Sequence, residues 1–299
     1  MAIAKQPTTE GSRTPCDSWQ RKRYGELDGT NSPQWSAMTP GEAIERFLHT
    51  GEHDPAFTAW GTSQSKRGEA VLRHVLNRVL AYRVEHAPIL ILDAPVDAEQ
   101  QVRDRIEPMV REFFAPSWAD LIIEQLPRRV RILTPDNFAT ELDLVDLQTA
   151  WRMANLLLDD LSMPPLADDT PTLDGLCDGS RAWVTPRAFE PPIAPFTDVI
   201  VHEAAHVLHA LTGAAIGLPS LEPLIAVKLH QQETFAYACE IWAVVERSDP
   251  SARAGIVRDV ASGGLPDDAR VRHRQLIQVL TEAASGEGWT AVRRAAHQA

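Results

Sequence analysis

Two histidines and a glutamate interrupt an otherwise apolar run, Val199-Ile200-Val201-His202-Glu203-Ala204-Ala205-His206-Val207-Leu208. No other stretch constrains the fold of the chain as tightly. His202 and His206 stand four residues apart, one turn of an α-helix, so both imidazoles leave the same face. At about 100° per residue, His202, Glu203, His206 and His209 fall into one stripe. The rest of that surface is Ile200, Val201, Ala204, Ala205, Val207, Leu208 and Leu211. A helix that is apolar nearly all round belongs in a core. Imidazoles and a carboxylate carried into a core are costly unless each finds a partner. One bound Zn²⁺ ion satisfies both imidazoles at once, with Glu203 beside its open position. The plainer alternative is a hydrogen-bonded His/Glu cluster at a domain or subunit seam.

The length of 299 residues allows one large core or two smaller ones. The formal net charge of −12 argues against a nucleic-acid or anionic-membrane binder, since both need basic surface. Cys16, Cys177 and Cys239 are far apart and form no Cys-x-x-Cys pair, which fits a reducing compartment better than a disulfide framework. The first residues lack the apolar stretch of a secretory signal, and no apolar run reaches membrane-spanning length. A cytoplasmic location is the expectation.

Along the chain, residues 1–38 are polar and read as a mobile arm. Residues 39–128 read as a helical region. It has helices from Thr39 to Thr50, Ser65 to His86, Asp97 to Phe114 and Trp118 to Gln125, and a short apolar run at Ile89–Leu92. Residues 129–249 read as the core that carries the motif. Arg129–Thr134 alternates charged and apolar residues as a half-buried strand does. Asp143–Leu161 is expected as one helix. Residues 166–180 are expected as a solvated loop, because Asp168, Asp169, Asp174 and Asp178 lack the spacing of a calcium loop. Arg181–Pro186 is expected as an edge strand, its proline marking the edge. Thr197 is the expected cap of the motif helix, Gly213 its stop, and Leu224–Val245 a long apolar helix. Residues 250–299 are expected as two helices, 251–261 and 267–284, packed on that core.

Residues 199–208 resemble the zincin metallopeptidases, whose pattern around His-Glu-x-x-His has valine three residues before the first histidine, uncharged variable positions and an apolar tail. The similarity runs from about 129 to 245. It implies a mainly α, α+β fold with a small antiparallel sheet, an active-site helix and a following helix that carries a glutamate. Glycine is absent at the spacing of the metzincin branch, so the resemblance points to the gluzincin branch, with Glu233 as third ligand and Glu240 in reserve. Many gluzincins have asparagine before this glutamate and aspartate four residues after it. Here Gln232 and Tyr237 hold those positions.

What the resemblance implies is a zinc-dependent metallopeptidase with a peptide or protein substrate. His202, His206 and Glu233 would hold one Zn²⁺ and Glu203 would be the general base. Tyr237 or His230 would donate to the developing oxyanion, and residues 181–185 would align an extended peptide. His209 reads as a core histidine and His273 as part of a solvated basic face. The alternatives are a zinc hydrolase acting on a small amide or biosynthetic intermediate, and a zincin-like regulatory or scaffold protein with little catalysis.

Overall fold

The structure, a computed structural model, describes residues 42, 65–87, 93–166, 173–191 and 196–296. The chain divides into a unit ending at Val71 and a compact unit from Leu72 to Ala299. In the first unit Glu42 is helical and exposed, and helix α1 (Ser65–Glu85) begins. The arm at 1–38, the remainder of the helix expected over 39–50 and the run at Ile89–Leu92 lie outside the described residues.

The second unit is mainly helical with one small sheet. α1 continues into it and buries Leu72, Val75, Leu76, Val79 and Leu80, the stripe its periodicity requires. α2 (Ala98–Phe113) buries Val102, Ile106, Met109, Val110 and Phe113, and accommodates Pro108 within its length. α3 (Pro116–Gln125) opens on proline, whose missing N–H costs nothing in a first turn. α2 and α3 share one core with the residues around the motif, so the boundary expected at 128/129 falls inside a packed interior.

Three strands follow in spatial order β1-β3-β2: β1 (Val130–Ile132), β2 (Gly175–Cys177) and β3 (Ala182–Val184). β1 runs parallel to β3 and β2 antiparallel to it, pairing Arg131 with Trp183 and Leu176 with Trp183. Two expectations are corrected here. The sheet is mixed, and β3 is its buried centre. The proline that suggested an edge is Pro186, which lies beyond the strand and takes no bond from the ladder. The edges are β1 and β2, and β2 lies within the stretch expected to be loop. Asp178 closes the β2–β3 turn by accepting from the backbone N–H of Ser180 and Arg181.

The helix expected over 143–161 is one helix, α5 (Leu147–Asp160), which starts four residues later than expected, and a short helix, α4 (Phe138–Asp143), precedes it. Asp146 caps α5, accepting from the Thr149 backbone N–H at 3.0 Å and its hydroxyl at 2.7 Å, while Leu144 is left exposed. Buried Glu141 ties α4 to the sheet. One oxygen accepts from Arg131 at 2.7 Å and the other from Trp183 Nε1 at 3.0 Å.

The motif helix α6 (Val199–Ala210) packs on β2 and β3 on one side and on α7 (Gln232–Glu246) on the other. Its residues Ile200, Val201, Ala204, Ala205, Val207 and Leu208 are fully buried. The cap is Asp198, not Thr197: its carboxylate accepts from Val201 N–H at 3.4 Å. Asp198 is itself buried and pairs with Arg247 at 2.6 Å and Arg105 at 3.5 Å. The helix ends at Ala210, ahead of Gly213. The long helix expected from Leu224 starts only at Gln232. Backbone bonds from Leu224 N to Leu211 O and from Gly213 N to Glu222 O hold 222–224 extended.

α8 (Arg253–Gly263), α9 (His273–Glu282) and α10 (Trp289–Ala295) complete the unit, and the third of these was not expected. α9 and α10 pack on α7. Phe113 of α2 contacts both Phe235 and Trp289, with ring centroids 6.0 and 5.6 Å away.

Candidate metal centre

α6 and α7 bring three side chains to one point. His202 Nε2 and His206 Nε2 lie 3.1 Å apart. Glu233 Oε2, from the first turn of α7, lies 3.7 Å from the first and 3.4 Å from the second. Donors bound to one tetrahedral Zn²⁺ at about 2.0–2.1 Å are separated by about 3.3 Å. The three observed edges bracket that value, and the set is able to hold a metal ion.

Each of the three is held on its far side. Glu240, one α7 face further on, accepts from His202 Nδ1–H at 2.9 Å with Oε2 and from the Asp198 backbone N–H at 3.0 Å with Oε1. It is buried and sits on the nitrogen of His202 that faces away from the convergence point, a position from which a carboxylate orients an imidazole. His209 does the same for His206, with His206 Nδ1 and His209 Nε2 2.9 Å apart. If His206 offers Nε2 to a metal its proton lies on Nδ1, and His209 Nε2 is the acceptor. His209 Nδ1 is then a buried N–H without a partner among the described residues. Glu233 turns its second oxygen, Oε1, to Arg270 Nη1 at 2.6 Å. Arg270 is in turn gripped by Asp268, through Nε at 3.0 Å and Nη2 at 2.6 Å.

Glu203 occupies the position beside the cluster. It is 5% exposed, and Oε2 has no hydrogen-bond partner among the described residues. β2 runs close against it: a Cβ added to Gly175 would come within 2.6 Å of Glu203 Oε1. Only glycine lets the strand approach so near. Burial pushes the Glu203 carboxyl up to about 7, with Glu233 and Glu240 adding to the rise and His202 opposing it. A buried carboxylate oxygen left without a donor is costly unless a water or ligand proton meets it.

The imidazoles respond to the same crowding. Burial disfavours charge on His202, but the carboxylates of Glu233 and Glu240 outweigh it and raise the group to about 10. His206 moves down, because burial and the neighbouring His202 both oppose a second charge. Burial and His206 lower His209 to about 4, so it is a neutral acceptor. Glu233 is held well below the usual carboxylate range by its bonds to both histidines, against the cost of burial.

Tyr237, one turn after Glu233, stacks edge-on against His202 with centroids 4.5 Å apart. Burial and the surrounding carboxylates raise its hydroxyl pKa, so it stays a protonated donor. His230 is different: it is exposed on the 3₁₀ turn Leu229–Gln231, and among the described residues no contact joins it to the cluster. His273 is also apart, bonding the Pro266 carbonyl at 2.9 Å. The residues that sequence reasoning missed are Arg270 and Asp268. Their only signal was the basic run Arg270–Arg274, which resembles any solvated helix start. Cys177 and Cys239 are unpaired.

No family model, curated protein or solved structure matches the chain.

Proposed function

We propose that the protein is a zinc-dependent hydrolase of amide bonds, most simply a metallopeptidase, with Zn²⁺ on His202, His206 and Glu233. The observation that carries this reading is the convergence of two Nε2 atoms and Oε2 at 3.1, 3.4 and 3.7 Å beside a buried, unpartnered Glu203 oxygen. When bound, the ion supplies Lewis-acid polarisation and lowers the pKa of water toward neutrality. Glu203, with its pKa near 7, is matched to take a proton from water and return it to the leaving nitrogen. Tyr237 is the candidate donor to the oxyanion that develops on the substrate carbonyl. His230 is withdrawn from that role by its exposure.

The strand suited to align an extended substrate is β2, not residues 181–185. β3 is paired on both sides, whereas β2 has one edge without a ladder partner among the described residues and lies against Glu203. Among the described residues no helix is long and apolar enough to cross a membrane. Among the described residues Cys177 and Cys239 are free, which supports work in a reducing cytoplasm.

Glu203→Gln tests the reading. The variant is expected to keep its zinc and lose turnover of a peptide library by about 10²–10⁴-fold, the share a positioned acid–base group contributes. Unchanged turnover in the variant, or no turnover by zinc-loaded wild type, would contradict it.

A further inference from the structure

Arg270 stands at the rim of the centre with more donors than its neighbours use. Its side chain is 69% exposed, although it touches a residue that faces the convergence point directly. A guanidinium carries five N–H bonds in a fixed plane. Asp268 takes the edge formed by Nε and Nη2, and Glu233 Oε1 takes one N–H of Nη1. One N–H on Nη1 and one on Nη2 remain. Asp268 fixes the plane of the group, so these two donors are held ready rather than found by chance. They suit a carboxylate, which arginine binds with two parallel hydrogen bonds.

Reach decides which carboxylate. Arg270 Nη1 is 2.6 Å from Glu233 Oε1, and the other oxygen of that carboxylate points at the two imidazoles. The guanidinium therefore stands one carboxylate and one hydrogen bond away from the convergence point, a span that suits the residue immediately after the scissile bond, since successive residues of a peptide are about 3.8 Å apart. Resting on the hydrolase reading above, we propose that Arg270 binds the free α-carboxylate of the substrate. The protein then removes a single C-terminal residue from a peptide or acyl-amino acid. In that hydrolysis the water oxygen bonds to the acyl carbon, the C–N bond breaks, and the water proton reaches the departing amino group through Glu203. No further reactant is needed.

The test pairs an N-acetylated peptide library having free C-terminal acids with its C-terminally amidated twin. Zinc-loaded wild type is expected to cleave the acids at least tenfold faster in kcat/KM, releasing single amino acids. In Glu203→Gln the acids should bind more tightly than the amides by a similar factor. Adding Arg270→Gln should bring both ratios close to one, with zinc content checked in each variant, and Arg270→Lys should restore part of the preference. If Arg270 only steadied Glu233, its loss would slow acids and amides alike and leave the ratio standing, which overturns the inference. Equal handling of acids and amides by wild type overturns it too, while the hydrolase reading survives. Turnover of neither library by zinc-loaded wild type overturns both.

Discussion

Glu240 and His209 show how much of this centre depends on groups that would not touch a metal. A histidine ligand needs one nitrogen free and the other protonated, and a fixed hydrogen-bond partner secures both. Glu240 does so for His202 at 2.9 Å and His209 for His206 at the same distance. Replacing Glu240 with Ala or His209 with Leu is therefore expected to weaken zinc binding about 10- to 100-fold. Competition against a chelating dye measures this, and unaltered affinity in both variants would mean that the contacts do no orienting. His202, Glu203 and His206 were readable as one stripe in the sequence, because a helix turns spacing into direction, whereas Glu233 entered only through the resemblance. Glu240 was legible only as a carboxylate on the correct face of an apolar helix. Whether it ligates or orients depends on which nitrogen of His202 it meets, and that follows from packing. Arg270 was not legible at all: it reaches Glu233 from the loop before α9, and no local pattern encodes that approach.

Among the elements, β2 and α6 determine each other. The strand is only three residues long and sits in a stretch of Gly, Asp, Ser and Pro that reads as loop. Its ladder with β3 is a short hairpin across the turn that Asp178 closes, and its closeness to Glu203 depends on the missing side chain of Gly175. Gly175→Ala should push Glu203 from its position. The expected result is a fall in kcat of tenfold or more with zinc retained, measured by steady-state kinetics beside metal analysis. A variant as active as wild type would show that β2 lies further from the base. The start of α6 offers a second test. Asp198 caps the helix while buried against Arg247 and Arg105. Asp198→Ala is expected to cost at least about 1 kcal/mol in urea unfolding, the usual loss for a cap. Asp198→Asn should recover part of it by keeping the cap. The sequence placed this helix correctly, but chose Thr197 as cap because either residue type can accept a backbone N–H.

For the whole molecule, the organisation differs from a motif core with helices added at either side. Val102, Ile106 and Phe113 from α2 share one interior with Phe235 and Trp242 of α7 and with Leu276, Leu280, Trp289 and Val292 near the C-terminus. Composition shifts and proline-rich joints marked where helices end, but they carry no information on which helices share an interior. A chain ending at Ser248 would lose α8 to α10 and expose the face of α7 that they cover. Fully burying one large apolar side chain is worth about 1.5–3 kcal/mol, and total stability is about 5–15 kcal/mol. Such a chain is expected to lose cooperative unfolding by circular dichroism; a cooperative melt would show that the centre stands without its C-terminal helices. The most direct measurement of the central claim is the zinc content of the purified, zinc-reconstituted chain after exhaustive dialysis. The geometry of His202, His206 and Glu233 predicts one zinc per wild-type chain and none in His206→Ala of unchanged helix content. A wild-type chain that retains no zinc, or a variant that retains it in full, would contradict the account.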